Sequence, residues 1–94
     1  MRYRVLIVGI DAELLMIRQV LLTSWGYDSL IATPEDVDEI LQSGRFDLVI
    51  LSLMLGQEVK RQVQNKLPAC TRPLVLGTLV WPVELRRTVA EALG

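Results

Sequence analysis

Two stretches of this chain are apolar at consecutive positions, with almost no polar alternation: RVLIV at 4–8 and DLVILSLML at 47–55. A strand with one face in water alternates polar and apolar residues. A run that does not alternate must be covered on both faces, as a central strand of a parallel sheet is. DSLIA at 28–32 and RPLVLGTLV at 72–80 have the same strand character. Pro73 stands near the start of the last, where a missing N–H is tolerated.

The segments between these runs have a helical period. Asp11 is placed to cap a first helix. Leu14, Ile17, Leu21 and Trp25 follow at spacings of three and four and mark its buried face, and Gly26 stops it. Thr33-Pro34-Glu35-Asp36 reads as a second helix start, with Thr33 as cap, Pro34 at the first helical position and Asp36 as a short capping-box acid. Val37, Ile40 and Leu41 are its buried face, and Gly44 ends it. A polar third helix spans Gln57 to Lys66 and has Val59, Val63 and Leu67 to bury. Pro82 opens the last, with Leu85, Thr88, Val89, Ala92 and Leu93 on one face. Buried strands alternating with amphipathic helices imply a parallel α/β sheet with helices on both sides.

Composition narrows the function classes. Ninety-four residues, 51% of them hydrophobic, suit one folded domain. The net charge of −1 gives no basic stripe for nucleic acid. The absence of histidine removes the commonest general base and transition-metal ligand. Cys70 stands alone, so no internal disulfide forms, and it reads as an inert loop thiol. The opening MRYRVLIVGI is basic and then apolar, but Asp11 and Glu13 follow at once, which excludes a signal peptide. The apolar runs are too short to span a bilayer. These features point to a reducing cytoplasm. Basic doublets at Lys60-Arg61 and Arg86-Arg87 read as solvated helix faces.

In open parallel sheets the site lies at the carboxyl ends of the central strands. Here those ends are Gly9-Ile10-Asp11, Ser52-Leu53-Met54 and Gly77-Thr78. RVLIVGIDAELLMIRQVLLTSWGY resembles the opening of the receiver domain of two-component response regulators, where the strand ends in an acidic pair and the helix in Gly-Tyr or Gly-Phe. FDLVILSLMLG resembles the receiver's third strand, ordinarily Asp-Leu-Val-Ile-Leu-Asp-Leu-Met-Leu-Pro. RPLVLGT is similar to the fourth strand with its switch Thr or Ser, and WPVELRRTVAEAL to the Lys-Pro-Phe segment that enters the last helix. The resemblance implies a flavodoxin-like three-layer sandwich. Leu79, Val80 and Trp81 alone separate Thr78 from Pro82, where the family has a helix and a fifth strand. The single domain, residues 1–94, is therefore expected to be shortened to four parallel strands in the order 2-1-3-4.

The departures fall on the residues that carry the family's chemistry. Gly9 and Ile10 occupy the positions of the acids that hold magnesium, which needs hard oxygen ligands. Ser52 stands at the phospho-accepting aspartate, Trp81 at the lysine that contacts the phosphoryl group, and Gly56 at the usual proline. Thr78 retains the switch position. Without base, metal or lysine, Ser52 reads as a small residue hydrogen-bonded to backbone, and Asp11 as a helix cap. The expectation is a chain with no catalytic residue, no metal and no cofactor, and so not an enzyme. Trp81 either covers the core where the missing helix lay or anchors a dimer interface, where Trp is enriched. With the fourth strand at an uncovered edge, Leu79, Val80 and Trp81 form a candidate interface for a homodimer. The function these features imply is phosphorylation-independent signalling through protein partners, with no membrane or nucleic-acid binding. The alternatives are residual phosphoryl transfer at Asp11, Ser52 and Thr78, or a small ligand in the strand-end crevice lined by Met54 and Trp81.

Overall fold

A computed structural model describes residues 2–77 and 80–94. Eight elements alternate along the chain: β1 Arg4–Val8, α1 Ala12–Ser24, β2 Asp28–Ala32, α2 Val37–Ser43, β3 Leu48–Ser52, α3 Gln57–Lys66, β4 Arg72–Leu76 and α4 Pro82–Leu93. The strands form one four-stranded sheet in the order β2-β1-β3-β4, parallel throughout.

The unbroken apolar runs have the expected cause. Successive side chains of a strand point to opposite faces. From β1, Val5 and Ile7 pack with Leu15 and Leu22 of α1 and with Leu85 and Val89 of α4. Leu6 and Val8 pack on the other side with Val37 of α2 and Val63 of α3. The adjacent β3 divides in the same way, with Leu48 and Ile50 on the α1/α4 side and Val49 and Leu51 on the α2/α3 side. All five residues of β3 are buried. The amino-terminal end of the sheet is pinned by polar contacts. The Asp47 carboxylate accepts the Arg4 N–H at 2.8 Å, and the Arg4 guanidinium pairs with Asp28 at 3.3 Å.

Several boundaries differ from the sequence reading. The β3 strand ends at Ser52, and Leu53 to Ser52's second neighbour Met54 already belong to a turn. The β4 strand ends at Leu76. Helix α2 starts at Val37 and not at Pro34. Its approach is a turn in which the Asp36 carboxylate accepts the Thr33 N–H at 2.6 Å, the bond expected of a capping-box acid, although the helix itself begins only after Asp36. The stop of α1 is as expected. Gly26 adopts φ 94°, the Tyr27 N–H donates to Leu22 O at 3.0 Å and the Gly26 N–H to Thr23 O at 3.1 Å, which is a Schellman ending.

The largest correction concerns the face of α1. Its buried residues are Leu15, Arg18 and Leu22. Leu14, Leu21 and Trp25 are half-buried, while Ile17 is 57% exposed. Two neighbouring stripes of this helix satisfy the three-four spacing. The one with more apolar residues is turned partly to solvent, because Arg18 lies in the stripe that faces the sheet. We predict that Leu22→Ala loses about 2–5 kcal/mol, whereas Ile17→Ala stays within about 0.5 kcal/mol of the parent. Urea unfolding followed by tryptophan fluorescence measures both, and equal losses would contradict this orientation of the helix.

Candidate functional site

Strands β1 and β3 are adjacent and in register at Val8 and Leu51, so the next residues, Gly9 and Ser52, come level where the sheet ends. A Cβ added to Gly9 would stand 3.5 Å from the Ser52 Cβ and 3.1 Å from Leu15 Cδ2. Two positions far apart in sequence therefore converge, and any larger side chain at Gly9 requires Leu15 to give way. The Gly9 N–H also extends the ladder, donating to Ala32 O at 3.1 Å. Ile10, beside it, is 66% exposed.

Above this pair lies a crevice of about 330 Å³. It is lined by Gly9 and Ser52 at the strand ends, by Leu14, Leu15 and Arg18 of α1, by Ile10, and by Asp11 and Met54. Asp11 is the N-cap of α1, and its Oδ1 accepts the N–H groups of Glu13 at 3.0 Å and Leu14 at 3.3 Å. Such a cap stabilises its helix by about 1 kcal/mol. Ser52 is buried, and its Oγ accepts the Met54 N–H at 3.2 Å. This bond holds the turn that follows β3 and leaves the hydroxyl proton free to donate.

Arg18 is the residue that the sequence reading missed. It is 4% exposed although it is charged. Its Nη2 donates to the carbonyl of Gly77, which follows β4. Leu76 pairs with Ser52 in the sheet, so this bond carries the guanidinium from α1 across the strand ends to the neighbourhood of Ser52. Burial pushes its pKa down from the usual value, yet a guanidinium remains charged in a protein. A cation in the middle of a helix's apolar stripe was the available signal.

The other expected site residues are placed as follows. Thr78 and Leu79 lie outside the described residues. Val80 is half-buried and packs against the core on the α1/α4 side, so it does not stand free as an interface residue. Trp81 precedes α4 and is 72% exposed, which excludes a role covering the core. Met54 lines the crevice and Trp81 does not. Asp11 is the one acid in the crevice lining, and the described residues hold no group of three or more metal-ligating side chains. No helix in the described residues is long and apolar enough to cross a membrane.

No protein-family model matches the sequence, and a search of curated proteins finds no match. Solved structures do match. The signal receiver domain of a protein assigned as a Luxo repressor from Vibrio parahaemolyticus superposes with a TM-score of 0.77 at 20% identity, over 99% of this chain and 91% of that one. A response regulator receiver domain from Methylobacillus flagellatus gives 0.75 at 15% identity, over 98% and 99% of the two chains. A fusion to a segment of the yeast Spc42 trimeric coiled coil gives 0.78 at 19% identity, over 99% of this chain and 79% of its own. The four-stranded parallel sheet with helices on both faces is thus the flavodoxin-like fold of response regulator receiver domains.

Proposed function

We propose that this chain is a receiver-like signalling module that works through protein partners without being phosphorylated. The observation that carries the reading is the make-up of the crevice, which holds one buried arginine and one capping acid. At the strand ends where the resembling family places an acidic pair and a phospho-accepting aspartate, this chain has Gly9, Ile10 and Ser52, and the buried Arg18 lines the same crevice and donates to the Gly77 carbonyl. A carboxylate accepts a phosphoryl group with help from a metal that neutralises the charge on the transferred group. The Ser52 hydroxyl has Asp11 as the one acid in the crevice, and that carboxylate is engaged with the amides of α1. Phosphoryl transfer at Asp11 and Ser52 therefore has neither a free base nor a metal-binding set of oxygens to support it. On this reading the chain is not an enzyme, and it requires no cofactor.

The partner-binding half of the proposal has separate support. Among the described residues the β4 strand is an edge, with five residues paired to β3 on one side and no strand on the other. Edge strands left open invite pairing with a further chain. At the start of α4, which follows β4 in the chain, the large apolar side chains of Trp81 and Val83 are 72% and 77% exposed. The proposal assigns this edge to a homodimer contact, in a chain that acts in the cytoplasm within a signalling pathway.

Two measurements test the proposal. Incubation with acetyl phosphate and magnesium should leave the intact mass unchanged. Ser52→Asp alone should also give no phosphoryl adduct, because the acidic pair and the lysine are still missing. A stoichiometric adduct on the parent chain refutes the reading. Light scattering at high protein concentration should give a dimer mass, and a monomer mass counts against the assignment of the β4 edge.

A further inference from the structure

A buried guanidinium needs compensation, since taking a charge out of water costs several kcal/mol unless partners replace the solvent. The ion pairs among the described residues are Arg4–Asp28, Arg61–Glu58 and Lys66–Asp38, and Arg18 belongs to none of them. A guanidinium carries five N–H donors in a fixed fork. Among the described residues, Arg18 has one hydrogen-bond partner, the Gly77 carbonyl. Among the described residues no side-chain nitrogen sealed from solvent lacks a partner, and the open space that Arg18 lines is the crevice. The Ser52 hydroxyl accepts from the Met54 amide and has a proton to donate into the same space. The rest of the lining is largely aliphatic, with Ile10, Leu14 and Met54 prominent.

We propose that the crevice is a binding site for a small organic monocarboxylate, held by its carboxylate on the Arg18 fork and the Ser52 hydroxyl, with its apolar body against Ile10, Leu14 and Met54. The chemistry selects this class on three counts. Arg pairs with a carboxylate through two parallel N–H···O bonds, which suits a planar anion. The volume of about 330 Å³ is at the small end of ligand pockets. The Asp11 carboxylate in the lining repels a second negative charge, so a monoanion is preferred to a dicarboxylate or to a phosphate dianion. The inference goes beyond the partner-binding proposal and does not depend on it. A ligand at the strand ends would provide an input that replaces phosphorylation, whichever surface carries the output.

The test is a titration of the isotope-labelled chain with butyrate and benzoate, followed by amide chemical shifts. Succinate, inorganic phosphate and the neutral butyramide serve as comparisons. Saturable shifts should centre on Gly9, Ile10, Ser52 and Met54 with the monocarboxylates, and butyramide should give none. Arg18→Met should weaken the binding at least tenfold, since a hydrogen bond to a charged group is lost. Should that variant fail to fold, Arg18→Lys, which keeps the charge but loses the fork, should weaken it by about tenfold. Ser52→Ala should weaken it less than either. The proposal is overturned if no monocarboxylate shifts these amides, if butyramide shifts them as strongly, if phosphate or succinate binds more tightly, or if the Arg18 variants bind as the parent does.

Discussion

The double-sided burial of β1 and β3 is the constraint on which the rest of this structure depends. Both strands send alternate side chains into two separate cores, one under α1 and α4 and one under α2 and α3. Neither strand can slip by one residue without exchanging the contents of the two cores. That fixed register brings Gly9 level with Ser52 and sets Gly77 one residue past the partner of Ser52. The crevice is a consequence of the register. Its shape is inherited from the sheet, and its chemistry is set by a few side chains at the strand ends.

Those side chains differ from the ones that the resemblance leads one to expect there. An acidic pair and an acceptor aspartate form a strongly negative pocket that is filled by a metal ion. At its strand ends this chain has Gly9, Ile10 and Ser52, and the buried Arg18 lines the same crevice while donating to the Gly77 carbonyl. The close approach of Gly9 to Leu15 shows that the change is not confined to charge. A side chain at Gly9 would require the end of the Leu15 side chain to shift by a few tenths of an ångström.

Much of the fold was legible in the sequence, because the signals for it are local. The RVLIV and DSLIA strands, the Asp11 cap, the Gly26 stop and the Pro82 start depend on residues near one another in the chain, and each lies where its pattern places it. The strand order came from resemblance, and the sheet has that order. Long-range information was harder to read. The face of α1 was misjudged because an arginine lies in the stripe turned to the sheet, and hydropathy alone selects the neighbouring stripe. Its partner, the Gly77 carbonyl, is 59 residues away, beyond the reach of any spacing rule. At Thr33-Pro34 the capping-box bond of Asp36 is present as its spacing implies, but the residues it spans form a turn and the helix starts at Val37.

The central claim is the proposal that the crevice, with Arg18 and Asp11 in its lining, does not bind magnesium. Titration of the isotope-labelled chain with magnesium chloride, read at the amides of Gly9, Ile10 and Ser52, tests it most directly. The account predicts no saturable shift at these three amides at millimolar magnesium. A saturable shift centred on them would contradict it, because a divalent cation would then be bound beside the Arg18 guanidinium.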